Sequence, residues 1–282
     1  MARSQVKLNS FSNVTAGNTA TLQLPLGRTY DQVLVGFSGI TLTQIKNIRV
    51  EVNGKAIQEF KDGKELADLN KFYGRNTTAT VLDFHFKQPE MKTLAEQRMF
   101  GLGTASLNRP AQSQIEADQS PAIQVVTIVM DIDGAAANPK LDAYAIQSDP
   151  SVIGSIVKVK RFPISLNAGL NEVDKIPRPA SARIKAFHVI TDATIEKVVT
   201  KVDNVEVTEL DRVIVEKIQV GNGRSPQAGI CTSDYCLEGD MKQAIPLKGI
   251  QDLRLQITAA DDTATGTFAT VVVEYFDTLS GI

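Results

Sequence analysis

The sequence predicts an all-β chain built as two tandem jelly-roll β-sandwiches, a double jelly roll with one short helix inserted in each half. Three observations predict it. Most segments alternate apolar and polar residues with period two, the mark of half-buried strands. The pattern of the first half returns in the second about 150 residues later. A capped amphipathic helix stands at the same place in each half.

Strand patterns cover residues 19–25, 32–37, 47–53, 79–87 and 123–133, then 172–176, 183–191, 194–202, 253–258 and 267–276. Asn53-Gly54, Asp62-Gly63, Asp133-Gly134 and Asn222-Gly223 punctuate them as turns. Many short strands with few helices point to sandwiches or barrels, and roughly eight strands per half fit a jelly roll.

The repeat is carried by apolar positions in register. Residues 32–37 (Gln-Val-Leu-Val-Gly-Phe) are echoed by residues 183–188 (Arg-Ile-Lys-Ala-Phe-His). Residues 52–60 lie over 202–210 at an offset of 150, and 129–133 over 273–277 at an offset of 144. Ala16-Gly17-Asn18 opens a strand in the first half, and Ala168-Gly169-Leu170-Asn171 opens one in the second.

In the first helix Asp62 is the cap, Glu65 completes a capping box, Leu66, Leu69 and Tyr73 form a buried stripe, and Gly74 ends it. In the second, Thr208 with Asp211 repeats the cap, Leu210, Val213, Ile214 and Ile218 repeat the stripe, and Gly221 ends it. Duplication is the economical reading against chance echoes between β-rich segments. The expected domains are residues 1–150 and 151–282, with the boundary inside 148–158, where Asp149-Pro150 and Gly154 interrupt the pattern.

At 282 residues, 43% of them hydrophobic and 22% charged, the chain is long enough to bury two cores. Lys and Arg number 30 against 32 acidic residues, and only Arg3 and Lys7 are basic among the first ten, so no basic arm for nucleic acid is present. Apolar runs such as 122–130 and 269–273 fall short of the roughly 20 residues of a membrane helix. The start has no apolar segment of a secretory signal, and a soluble protein made in a cytoplasm is expected.

Two sandwiches per chain make a blocky unit. Three chains would place six similar domains around an axis as a pseudo-hexagonal tile of closed symmetry. Along the chain, several stretches resemble the major capsid proteins of the corticoviruses, tailless bacteriophages with an internal membrane. They include residues 13–18 (Asn-Val-Thr-Ala-Gly-Asn), 44–51 (Gln-Ile-Lys-Asn-Ile-Arg-Val-Glu), 84–92 (Phe-His-Phe-Lys-Gln-Pro-Glu-Met-Lys) and 97–104 (Gln-Arg-Met-Phe-Gly-Leu-Gly-Thr). Residues 131–137, 237–240 and 250–255 continue the resemblance, which thins at 108–121 and 192–229. The resemblance implies a coat protein whose homotrimers tile an icosahedral shell. Its implied partners are neighbouring capsomers, a vertex (penton) protein and the underlying viral membrane, without sequence-specific nucleic-acid binding. Its implied place is the virion capsid, after synthesis in the cytoplasm of a bacterial host.

Catalytic chemistry is sparse. His85 and His188, the two histidines, lie in strand patterns beside Phe84, Phe86 and Phe187 and are expected on polar rims. With Cys231 and Cys236 they supply a zinc site poorly. The two cysteines are expected as free thiols in a reducing cytoplasm, and pairing stays open for a released virion. Residues 101–103 (Gly-Leu-Gly) are no phosphate loop, and residues 36–39 (Gly-Phe-Ser-Gly) no nucleophile elbow.

Asp131 and Asp133 lie two apart before the turn at Gly134, so their carboxylates are candidate calcium ligands, as are Asp261 and Asp262. Solvated turns are the alternative. The resemblance favours calcium, an ion associated with coats of this phage group. No enzyme is expected. A cupin-type enzyme needs clustered histidines, which this chain lacks, and a carbohydrate-binding jelly roll needs aromatic platforms, which 6% aromatics and no tryptophan supply poorly.

Overall fold

The computed structural model describes residues 3–106, 123–260 and 267–280. They divide into two units, the first of Met1–Lys71, Arg75–Val159 and Thr278–Ser280, the second of Phe72–Gly74 and Lys160–Asp277.

In the first unit the strands are β1 (Ser4–Lys7), β2 (Thr19–Gln23), β3 (Thr29–Ser38), β4 (Ile45–Val52), β5 (Lys55–Asp62), β6 (Val81–His85), β7 (Val126–Ile132) and β8 (Lys140–Ser148). They pair in the orders β1-β8-β3-β6, with the two-residue strand Leu102–Gly103 also beside β3, and β2-β7-β4-β5. Burial alternates along them as the period-two pattern requires. Val33, Val35 and Phe37 of β3 and Leu82 and Phe84 of β6 are buried, while Gln32, Leu34, Asp83 and His85 lie half-buried on the outer face. The edge of β5 is closed within this unit: Val159 lies parallel to Gln58, whose Nε2 donates to the Val157 carbonyl at 3.3 Å.

The second unit repeats this plan with β9 (Ile156–Leu166, of which residues 160–166 lie in this unit), β10 (Gly169–Val173), β11 (Arg183–Ile190), β12 (Ile195–Val202), β13 (Val205–Thr208), β14 (Ile230–Asp234), β15 (Leu253–Ala259) and β16 (Thr267–Asp277). Its sheets run β9-β16-β11-β14 and β10-β15-β12-β13, the same permutation as the first unit. Each unit is a jelly roll, and the chain a double one. Leu166, Ile184, Phe187, Val189, Leu253, Leu255, Ile257, Val271, Val273 and Tyr275 fill the core of the second.

Duplication reaches individual hydrogen bonds. Asn53 and Asp203 both hold positive φ in the tight turns β4–β5 and β12–β13 (51° and 46°). The Asn53 Oδ1 accepts from the Gln124 and Val125 amides, and the Asp203 Oδ1 accepts from Gln251 and Asp252. Helices α1 (Gly63–Phe72) and α3 (Arg212–Gly221) follow the matching strands. The Asn70 Nδ2 donates to the Asp83 carbonyl at 2.8 Å, and the Gln219 Nε2 to the Thr232 carbonyl at 2.7 Å. The Arg75 amide donates to the Asn70 carbonyl, the Arg224 amide to that of Gln219. These pairs share one offset (219 − 70, 232 − 83 and 224 − 75 all give 149). Gly74 and Gly223, at the same offset, both take the left-handed conformation that ends a helix (φ 69° and 77°).

Four expectations differ from the structure. The strand read at 172–176 is Gly169–Val173, because Gly169 turns the chain early (φ 81°) and the Asn171 side chain ties back to Asn167. The first jelly roll carries a second short helix, α2 (Leu94–Met99), capped by the Thr93 hydroxyl, which accepts from the Glu96 amide. The cap of α1 is as read, with the Asp62 Oδ1 accepting from the Glu65 amide at 2.9 Å, whereas the Asp211 side chain makes no cap bond. Lastly, the stripe of α1 is buried, but Leu210, Val213, Ile214 and Ile218 are exposed.

Candidate assembly surface

That last difference locates a surface. Val205 and Val207 on β13, then Leu210, then Val213, Ile214, Ile218 and Val220 on α3 are all 40–75% exposed. Seven exposed apolar side chains within residues 205–220 make this segment a candidate interaction site. β13 is also the last strand of its sheet, and among the described residues its outer edge pairs with nothing. Along its border Glu206 pairs with Lys201 at 2.8 Å and Glu209 with Lys197 at 3.3 Å. The helical spacing in α3 is a true amphipathic signal; only its side was misread, because periodicity does not say whether the apolar face meets the chain's own core or another molecule.

Opposite in character is the outer face of sheet β9-β16-β11-β14, which is buried and ionic. The Lys185 Nζ lies 2.8 Å from the Glu274 Oε2, and the Tyr73 hydroxyl donates to the same oxygen at 3.0 Å. Lys185 also stands over the Tyr73 ring at 3.7 Å. Burial pushes the Glu274 carboxyl up, but the charge of Lys185, with the facing His188, outweighs it and holds Glu274 well below the usual carboxylate range. A second pair lies alongside: the Arg224 Nε donates to the Asp234 Oδ2 at 2.7 Å and its Nη2 to the Cys236 carbonyl at 2.9 Å. Phe72 and Tyr73 cover this face edge-on to His188.

His188 is therefore not on a polar rim. It is wholly buried, its Nδ1 2.9 Å from the Thr232 hydroxyl and its Nε2 3.4 Å from the Glu274 Oε1 without hydrogen-bond alignment. β11 departs from simple alternation through a bulge at Lys185, so side-chain polarity alone does not report depth here. His85 lies half-buried beside Gln32, 3.4 Å away. The two histidines fall in different units.

The calcium candidates are placed in detail. The Asp131 carboxylate accepts from the Thr19 hydroxyl at 2.6 Å and from the Asn47 Nδ2 at 2.8 Å. Partial burial pushes its carboxyl up, and these hydrogen bonds bring it below its ordinary value. Asp133 pairs with Lys46 and accepts from the Ala135 amide, which likewise lower it. The two aspartates thus answer to different partners. Among the described residues no three His, Cys, Asp or Glu side chains gather as a metal site. Asp261 and Asp262 lie outside the described residues. Cys231 and Cys236 are free, buried thiols, pushed up by burial to about 11 and about 12.

Comparison with known proteins adds an independent line. Residues 5–149 match the family model described as viral coat protein P2 N-terminal domain, and residues 156–279 match the viral coat protein P2 C-terminal domain. The major capsid protein P2 of Pseudoalteromonas phage PM2 is 36% identical, across 97% of this chain and 96% of that protein. Its crystal structure superposes with a TM-score of 0.89 at 34% identity, covering all of both chains. A structure of Sulfolobus Turreted Icosahedral Virus shares the fold alone, with a TM-score of 0.66 at 9% identity over 97% of this chain and 90% of that one.

Proposed function

The chain belongs to the viral coat protein P2 family, both of whose domain models it matches, and from that premise we propose that three copies close into a pseudo-hexagonal capsomer. As a member of that family it is a major capsid protein, a structural component of the virion capsid and not an enzyme. Two jelly rolls of one topology in each chain supply six similar blocks per trimer, the shape a lateral tile requires. The observation that carries the trimer is the exposed apolar band on β13 and α3. A band open on the monomer and facing outward is the surface a closed assembly buries.

Around the capsomer, the same reading gives the protein neighbouring capsomers, a vertex protein and an underlying membrane as partners. Sedimentation of the purified chain at micromolar concentration tests the trimer. Three times the mass of one chain is expected, and a persistent monomer overturns it.

Calcium at Asp131 and Asp133 enters this reading with a structural condition: Lys46 must leave Asp133 for a cation to take its place. An ion bound only in the assembled state stabilises that state by mass action. Chelation is therefore expected to lower the temperature at which trimers or shells dissociate. Asp131→Asn combined with Asp133→Asn should remove that calcium dependence. A dissociation temperature unmoved by chelator disposes of calcium and leaves the coat-protein reading standing.

A further inference from the structure

Helix α2 turns its polar side to the chain and its apolar side outward. Glu96 and Gln97 are half-buried, and the Gln97 Nε2 donates to the Met91 carbonyl at 2.7 Å. Leu94, Ala95, Arg98 and Met99 share the opposite face at helical spacing, and all four are exposed. The helix is firmly seated, because Met91 before it and Phe100 after it are each 1% exposed.

A second connection meets α2. β3 starts and β6 ends at one end of the first jelly roll, where Gln32 lies opposite His85, so residues 24–28 and 86–104 come together there. The Thr104 hydroxyl donates to the Arg28 carbonyl and the Gly27 amide donates to that hydroxyl. Gly101, whose amide donates to the Arg98 carbonyl, lies too close to Thr29 for a side chain. Leu26, Leu94 and Met99 are 41%, 57% and 41% exposed, while the other large apolar side chains exposed in the first unit, Val6 and Tyr144, lie on the strands β1 and β8.

The charge of these two connections is one-sided. Their acidic groups are occupied: Asp31 by Arg3 at 2.8 Å and Lys87 at 3.6 Å, Glu90 by Arg75 at 2.9 Å, and Glu96 by the Thr93 hydroxyl. Arg28, Lys92 and Arg98 are exposed and make no ion pair among the described residues.

We propose that this end of the first jelly roll docks on an acidic lipid surface, with Leu26, Leu94 and Met99 entering the interface and Arg28, Lys92 and Arg98 meeting anionic headgroups. It deepens the reading above that gives the capsomer an underlying membrane, and names the surface that meets it. Apolar burial combined with attraction to anionic lipids is how such faces bind membranes. Three apolar side chains fall far short of the 20–30 residues that one side of a standard protein interface contributes. Headgroups, by contrast, receive cations without fixed geometry. In a trimer of closed rotational symmetry all three copies turn this end to the same side, so weak contacts add on one surface.

Vesicle flotation of the purified chain tests the face, with phosphatidylcholine vesicles compared with vesicles that also contain phosphatidylglycerol. Binding to the acidic vesicles alone is expected, weakening as salt rises. The chain carries a formal net charge of −2, so its bulk charge does not supply that attraction. Arg28→Gln, Lys92→Gln and Arg98→Gln together should weaken binding about 10²-fold, roughly fivefold for each cation. Leu94→Ser with Met99→Ser should weaken it as well, and the circular-dichroism spectrum of both variants should stay unchanged. Lys140→Gln, at the far end of β3 beside Ser38, should leave binding as it was. Equal binding to neutral vesicles, or binding that either multiple variant leaves unchanged, overturns the proposal. So does an absence of binding, the result expected if this face serves a protein partner. Sedimentation of the same preparation reads the trimer separately. A trimer that ignores acidic vesicles overturns the lipid face and leaves the capsomer standing, and a monomer that binds them does the reverse.

Discussion

Glu274→Leu alone is expected to cost about 3–5 kcal/mol of folding stability, because it removes the carboxylate 2.8 Å from a buried ammonium group. Lys185 is wholly buried, with Glu274 2.8 Å away and the Tyr73 ring beneath it. Adding Lys185→Met to Glu274→Leu is expected to restore most of the loss, since an apolar pair of similar volume needs no compensating charge. Denaturant titration of the two variants measures the difference.

The pH dependence has a definite sign. Glu274 titrates lower in the folded chain than in the unfolded one. Its contribution is therefore complete above the unfolded carboxyl value of about 4.3 and is lost as pH falls below it. The unaltered protein should lose stability into acid more steeply than the Lys185→Met, Glu274→Leu pair. Equal acid slopes would remove the pair from the stability account.

Val213→Asp combined with Ile218→Asp is expected to abolish trimers while leaving the fold in place. Both side chains are exposed on the single chain, 75% and 40%, so the monomer loses little by the change. In the assembly each withdraws apolar burial of about 1.5–3 kcal/mol, roughly a 10²–10⁴-fold weaker association for the two together, before the cost of burying carboxylates is counted. Sedimentation reads the loss and the circular-dichroism spectrum confirms the fold. The matching change on α1, at Leu66 and Leu69, should instead unfold the protein, since those side chains are 4% and 3% exposed.

The contrast between these two helices shows what was legible in the sequence. Alternation and the repeat spoke for the jelly rolls because a half-buried strand writes its two faces into every second residue. Several strands did not announce themselves. β13 is a four-residue partner in a tight hairpin, and β14 (Ile-Cys-Thr-Ser-Asp) is buried on both faces, so it carries no alternation. The ionic face was illegible for a related reason: His188 reads as a polar-rim residue on a strand and becomes interior only where Phe72 and Tyr73 cover it. Asp131 and Asp133 were recognisable as acidic neighbours at a strand end. The partners that occupy them, Thr19, Asn47 and Lys46, come from strand pairings that the local pattern does not specify.

Electron cryo-microscopy of purified capsomers tests the central claim most directly. The account predicts a threefold particle of six similar lobes, with β13 and α3 of each copy buried between copies. A particle in which the β13–α3 band faces solvent, or one without threefold symmetry, would contradict it.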